Sequence, residues 1–241
     1  MPFNDLEALH AAVDSRTVAI MLEPIQGEAG VIPATAAYLK GVERLCRELG
    51  ILLILDEVQT GVGRCGALLA EQTYDVRADI ITLGKGLGGG VPLAALLARG
   101  SACCAEAGEL EGSHHGNALM SAAGLAVLET VLEPGFFEHV QESGRHLRDG
   151  LSRLAGRYGQ SEVRGQGLLW ALQLSEDNAA ELVKAALHEG LLLNAPQPDV
   201  LRLSPALTVS KGNIDEMLLR LARAFARVHS AQQHQRREAT A

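Results

Sequence analysis

Ile-Leu-Leu-Ile-Leu-Asp-Glu-Val-Gln-Thr-Gly-Val-Gly-Arg (51–64) is the stretch on which the fold turns. Residues 51–55 form an unbroken apolar run, the pattern of a strand covered on both faces. The run stops at Asp56, and Gln59 to Arg64 holds two glycines that make a turn. Asp56 therefore stands at the carboxyl end of a buried strand, where open α/β sheets gather their ligands. Taken alone, it serves equally well as a cap for the turn that follows.

The neighbouring segments extend the pattern. Upstream, residues 17–25 read as a buried strand ending at a proline. Residues 35–49 read as an amphipathic helix with Tyr38, Leu39, Val42, Leu45 and Cys46 on one face, stopped by Gly50. Downstream, 79–84 repeats the apolar run, and 92–98 supplies a further strand. Strand, helix and strand in this order predict an α/β fold with a parallel or mixed sheet.

Two long helices follow at 117–132 and 136–157, broken near Glu133-Pro134-Gly135. Leu147, Leu151 and Leu154 recur at helical spacing and read as core. Beyond them the pattern changes. A strand-like run covers 163–174, a helix 177–189, short strands 191–194 and 200–204, and a last helix 212–229. This is the pattern of a separate, small α+β domain. The boundaries so drawn are 1–132 for the first domain and 133–230 for the second, with a polar, flexible tail at 231–241.

The second apolar run ends in Gly-Lys-Gly-Leu-Gly-Gly-Gly (84–90). Lys85 is one of only four lysines in 241 residues. An amine at the end of a buried strand is placed to lose solvent, which lowers its pKa and makes it nucleophilic. Such an amine suits Schiff-base chemistry. By itself, Lys85 reads more readily as a lysine that merely ends a strand. Its company matters: Asp56 occupies the same kind of position on a neighbouring strand. A carboxylate and an amine converging on one crevice suit a pyridine ring, one holding the ring nitrogen protonated and the other condensing with the aldehyde. The glycines at 86–90 are a weak phosphate signal and match neither a dinucleotide fingerprint nor a P-loop.

Composition narrows the classes. Hydrophobic residues make up 47% and charged residues 21%, as in a globular protein with a real core. Aromatics are only 3%, so that core rests on Leu, Ala, Val and Ile. The formal charge of −8 argues against a nucleic-acid partner. No apolar run approaches membrane-spanning length, and no secretory signal is evident, so the expected location is cytoplasmic. Cys46, Cys65, Cys103 and Cys104 form no Cys-x-x-Cys pair and are expected as reduced thiols.

Three motifs occur in order: Glu-Pro-Ile-Gln-Gly-Glu (23–28), Leu-Asp-Glu-Val-Gln-Thr-Gly-Val-Gly-Arg (55–64) and Gly-Lys-Gly-Leu-Gly-Gly-Gly (84–90). With Asn4-Asp5-Leu6, Val-Arg-Gly-Gln-Gly-Leu-Leu (163–169) and Leu-Arg-Leu-Ser-Pro-Ala-Leu (201–207), the chain resembles the class III, fold-type I aminotransferases over nearly its whole length. The resemblance is closest to the acetylornithine/ornithine branch, and Gly61-Val62-Gly63-Arg64 favours its acetylornithine side. It implies a partial pyridoxal-phosphate-transferase large domain, mostly parallel sheet with helices, followed by the small α+β domain.

Roles follow from the resemblance. Lys85 would be the amine that condenses with pyridoxal 5'-phosphate and then moves the substrate proton. Asp56 would pair with the ring nitrogen, Val58 would pack on the ring and Gln59 would bind near its hydroxyl. Ser113, where the family usually has threonine, would reach the cofactor phosphate of the neighbouring subunit of a homodimer. Arg202 would bind a substrate carboxylate, and Glu28 would pair with Arg202 in the presence of the ω-amino substrate and release it for the keto acid. Without the resemblance, Arg202 reads as a charge on an edge strand and Glu28 as a turn residue. No metal is implied, although His114-His115 stands where the family has an aromatic residue and a glycine.

The implied reaction is transamination of N-acetylornithine with 2-oxoglutarate, in arginine biosynthesis or metabolism. The partners are small amino and keto acids. Ornithine, succinylornithine, succinyldiaminopimelate and 4-aminobutyrate are alternative donors. The match begins inside the family's large domain, so the chain reads as N-terminally truncated and is expected to be inactive or unstable alone. The competing reading is a non-catalytic remnant that dimerises.

Overall fold

The computed structural model describes residues 1–106, 108–110 and 112–238. The chain divides into two compact units, one of residues 1–25 and 33–138, the other of 26–32 and 139–241. The seam thus falls a few residues inside the second domain drawn from the sequence, and a short loop near residue 29 belongs with that domain.

The first unit begins with α1 (Leu6–Ala12) and β1 (Ala19–Leu22). The short strands β2 (Ile25–Gln26) and β3 (Ile32–Pro33) mark where the chain leaves the unit and returns. Next come α2 (Ala36–Leu49), β4 (Leu52–Asp56), the one-turn α3 (Glu71–Tyr74), β5 (Ile80–Leu83), β6 (Ala95–Ala98) and α4 (Ala118–Val131). The sheet order is β1-β4-β5-β6. The first three strands are parallel, and β6 runs antiparallel to β5. The fold is the α/β class expected, with a mixed sheet.

Helix α2 forms for legible reasons. Thr35 caps it by accepting the Tyr38 N–H at 3.1 Å, and Gly50 closes it in the left-handed region at φ +67°. The side chains it buries are Tyr38, Leu39, Val42, Leu45 and Cys46, the face that the spacing predicts. Asn4 receives the Thr35 N–H at 2.8 Å and donates to the Pro33 carbonyl at 3.0 Å, while Asp5 caps α1 through the Ala8 N–H. The Asn4-Asp5-Leu6 motif therefore anchors the start of the unit.

The strands differ from expectation in one respect. In β4 only Leu53 and Leu55 are buried, while Leu52 and Ile54 are partly exposed. Met21 on β1 and Leu96 on β6 are 58% and 65% exposed. The unbroken apolar run is thus covered fully on one face only, because the helices of this chain do not blanket the second face.

The second unit takes α5 (Phe136–Tyr158) from residue 139 onward, then β7 (Glu162–Gln166), β8 (Leu169–Gln173), α6 (Ala179–His188), β9 (Asn194–Gln197), β10 (Val200–Leu203) and α7 (Lys211–Glu238). The strand-like run 163–174 is a hairpin. The antiparallel sheet is ordered β7-β8-β10-β9. Strand β9 lies three residues later than 191–194 predicts, since Leu191 to Leu193 precede the sheet instead of joining it. Helix α7 runs through Glu238, where a flexible tail is expected from residue 231; Gln, Arg and Glu are good helix formers and continue the pattern. Residues 239–241 lie outside the described residues.

Leu147, Leu151, Leu168, Leu172, Leu182 and Leu201 are fully buried and form this core. Burial of each such side chain contributes about 2 kcal/mol. Helix α5 meets the hairpin very closely at Gly144, where a Cβ would run into the Gly167 carbonyl.

Candidate active site

Asp56 is the last residue of β4, and its register partner on β5 is Thr82. Its Oδ1 accepts the Val58 N–H at 3.0 Å and the Thr82 hydroxyl at 3.2 Å. Among the described residues, Oδ2 has no hydrogen-bond partner. One carboxylate oxygen is thus fixed by the fold, leaving the other for a ligand.

Lys85 follows Thr82 by three residues, just beyond the end of β5. It opens a short 3-10 turn, Lys85–Gly88, with φ +44°. A left-handed backbone at a long side chain is uncommon and costs about 1–3 kcal/mol, and such residues cluster at functional sites. Gly84, before it, lies against Val58: a Cβ there would sit 3.4 Å from Val58 Cγ1. The acid, the apolar residue and the amine therefore belong to adjacent strand ends of one sheet.

One expectation for Lys85 is corrected. Its side chain is exposed, so this chain does not supply the desolvation predicted for it. The glycines around it have no side chains to exclude water, and the turn carries the lysine outward.

Val58 and Gln59 lie, half-buried, in the turn after Asp56. Glu57 underlies that turn and was not evident from the sequence. It is 1% exposed, and its carboxylate accepts the Ala70 N–H at 2.5 Å, the Glu71 N–H at 2.9 Å and the Thr60 hydroxyl at 3.2 Å. Burial pushes its carboxyl above the ordinary 4.5, with the hydrogen bonds from Glu71, Ala70 and Thr60 opposing the shift. Glu71, also buried, is gripped by both Arg99 terminal nitrogens at 2.6 and 3.0 Å. The only hint of this network in the sequence was the position of Glu57 beside Asp56.

Ser113 lies on an exposed turn with His114 and His115. Asn117 then caps α4, accepting the Leu119 and Met120 N–H groups at 3.1 Å. Among the described residues, no three His, Cys, Asp or Glu side chains gather as metal ligands.

Glu28 and Arg202 both belong to the second unit. Arg202 projects from β10 and is 16% exposed; its Nη1 donates to Glu28 Oε1 at 2.8 Å and to the Gly27 carbonyl at 3.3 Å. The two residues expected to form a switch are therefore in contact, and neither the edge-strand charge nor the bare turn residue describes them.

For pyridoxal phosphate the residues present are the right chemistry. An open carboxylate oxygen suits a protonated ring nitrogen, a branched apolar side chain suits a ring face, and an accessible primary amine suits an aldehyde. A mixed α/β sheet with an acid and a lysine at the carboxyl ends of its two central strands is the class of site that the fold defines.

The comparisons carry the identification further. A family model described as aminotransferase class-III matches residues 2–225. The acetylornithine aminotransferase 2 of Bordetella parapertussis is 50% identical over 228 residues, covering 93% of this chain and 58% of that protein. The acetylornithine aminotransferase of Ralstonia nicotianae is 48% identical over 218 residues, covering 89% of this chain and 55% of that protein. Among solved structures, N-acetylornithine aminotransferase from Stenotrophomonas maltophilia superposes with a TM-score of 0.88 at 38% identity, covering 96% of this chain and 62% of that one. The chain belongs to the class III aminotransferase family. It spans a little under three fifths of the length of these curated relatives.

Proposed function

We propose that the chain carries the lysine, ring-nitrogen acid and substrate arginine of a pyridoxal 5'-phosphate-dependent transaminase that moves the amino group of N-acetylornithine to 2-oxoglutarate. The names of the relatives support the donor. The observation that carries the proposal is Asp56, fixed through Oδ1 and open at Oδ2, one strand away from Lys85.

When bound, pyridoxal phosphate supplies an aldehyde and an electron-accepting ring. Asp56 Oδ2 would hold the proton on the ring nitrogen. Val58 would press on the ring, Gln59 would donate or accept near its hydroxyl, and Ser113 would reach a phosphate in a homodimer. Lys85 Nζ would take the proton from the amino-bearing carbon of the substrate and return it one position away. Arg202 would hold a carboxylate of the keto acid through its planar fork, and Glu28 would occupy Arg202 when the donor brings no second carboxylate. Cytoplasmic arginine metabolism is the setting that such a reaction fits.

A second reading has a specific observation behind it. Lys85, Met21 and Leu96 are exposed, so the polypeptide by itself does not enclose the amine or cover its sheet. On that reading it is a non-catalytic piece that dimerises or joins a longer relative.

The test is to purify the 241-residue chain with pyridoxal phosphate, reduce with borohydride and map the adduct by mass spectrometry. A visible absorption band and an adduct on Lys85 are expected. An adduct scattered over surface lysines, or none at Lys85, overturns the proposal. A Lys85 adduct without turnover across a panel of amino donors favours the non-catalytic reading.

A further inference from the structure

We propose that Arg164 is a positioning residue that holds the loop of Glu28 and thereby sets how firmly Glu28 blocks Arg202. This rests on the reading of Arg202 as a carboxylate site. Arg164 belongs to the Val-Arg-Gly-Gln-Gly motif, to which that reading gives no task.

The side chain leaves β7, is 14% exposed, and turns both Nε and Nη2 onto one acceptor, the Gly30 carbonyl, at 3.0 and 2.8 Å. Its remaining nitrogen, Nη1, is steadied by Gln173 at 2.9 Å and Glu162 at 3.2 Å. A two-point grip on one carbonyl fixes direction as well as distance. The loop needs such a grip. Gly30 has φ +113° and Val31 has φ +53°, and a β-branched residue in the left-handed region is a true outlier. Val31 is fully buried, so the strained conformation is locked in place. Position 30 favours glycine, since φ +113° strains any side chain there and a Cβ would sit 3.1 Å from Arg164 Nη2, close enough that the guanidinium must shift.

The loop is held at its other end too. Gln197 on β9 donates to the Glu28 carbonyl at 3.0 Å, and Arg202 itself donates to the Gly27 carbonyl. Side chains of β7, β9 and β10 therefore hold three carbonyls of the loop, those of Gly27, Glu28 and Gly30, which leaves the Glu28 side chain little freedom except through its own torsions. A loosened Gly30 lets Glu28 drift from Arg202 and exposes the guanidinium to an incoming carboxylate.

The experiment titrates glutarate, an unreactive dicarboxylate, into the full isotope-labelled chain and follows the Arg202 Nε–Hε signal by NMR. Four proteins are compared: the parent, Glu28→Gln, Arg164→Lys and the double variant. Lysine keeps the charge at 164 and loses the two-point grip. Glu28→Gln is expected to tighten glutarate about tenfold by removing the competitor, and Arg164→Lys about threefold, the gain of a partial release. In the double variant, Arg164→Lys is expected to add nothing to Glu28→Gln. Faster amide exchange at Val31 in Arg164→Lys is the accompanying signature. If Arg164→Lys shifts affinity equally in both backgrounds, or not at all while Glu28→Gln tightens binding, the inference fails and the carboxylate-site reading stands. If Glu28→Gln itself binds no more tightly, that reading fails and this inference goes with it. Should Arg164→Lys unfold the unit, Gly30→Ala perturbs the same grip from the loop side and is held to the same outcomes.

Discussion

The Thr82 hydroxyl donates to Asp56 Oδ1 across 3.2 Å, tying the carboxyl ends of β4 and β5 together at the point where a ligand would be held. Thr82 serves both as the register partner of Asp56 and as a fixing hydrogen bond for it. The orientation of the carboxylate is therefore a property of the sheet and does not depend on the ligand.

Asp56→Asn keeps the shape and loses the charge. A hydrogen bond to a charged group is worth about 1.5–3 kcal/mol, so cofactor affinity should fall about 10- to 100-fold. Titration of the chain with pyridoxal phosphate, followed by absorbance, measures it. Unchanged affinity would remove Asp56 from the site.

Glu57 ties stability to pH. Burial raises its carboxyl above 4.5, so in the window just above that value the folded chain keeps a proton that the unfolded chain has released. Stability from this group is then full below 4.5 and declines as pH rises through the raised value. Glu57→Gln, which carries no titrating proton, should be less stable than the parent throughout, because its amide cannot accept from all three donors. The gap should be widest at low pH and narrow as pH rises. Urea unfolding from about pH 4 to about pH 8 reads the difference; a gap that widens with pH contradicts the assignment.

Gly144→Ala tests the close approach of α5 to the β7–β8 turn. The added methyl would strike the Gly167 backbone carbonyl, which cannot rotate away as a side chain could. A loss of about 3 kcal/mol is expected, lowering Tm by about 10 °C. Gly156→Ala on the same helix, where a Cβ meets nothing, is the control and should be neutral or slightly stabilising.

The thiols should divide into two classes. Cys103 and Cys104 are exposed, whereas Cys46 and Cys65 are buried. Burial pushes Cys46 up to about 11 and raises Cys65 further, so neither offers a thiolate near neutral pH. Ellman's reagent should modify two thiols in the native chain and all four only after unfolding. Rapid modification of all four would show that the first unit opens readily.

Legibility from sequence followed the range of the forces involved. Helix α2 could be read to its caps because Thr35, the spacing of Tyr38 to Cys46, and Gly50 act within a few residues of one another. Asp56 and Lys85 could be read because each ends an apolar run. The exposure of Lys85 could not, because the solvent around an amine depends on what folds over it. The start of β9 is not legible in the sequence, because Leu191 to Leu193 look like a strand, yet the sheet pairs Asn194 and Gln197 with β10.

Local order along the chain was enough to establish an α/β fold, a strand-end acid, a strand-end lysine and the class III motifs, since periodicity and turn chemistry are written residue by residue. The pairing of Glu28 with Arg202 across 174 positions was implied only by the family resemblance, and the tertiary structure alone could give it a geometry, bury Glu57 beneath its turn and turn Arg164 onto the Gly30 carbonyl. Those pairings depend on which strands become neighbours, and a contact between distant residues leaves no periodic trace in either segment that makes it.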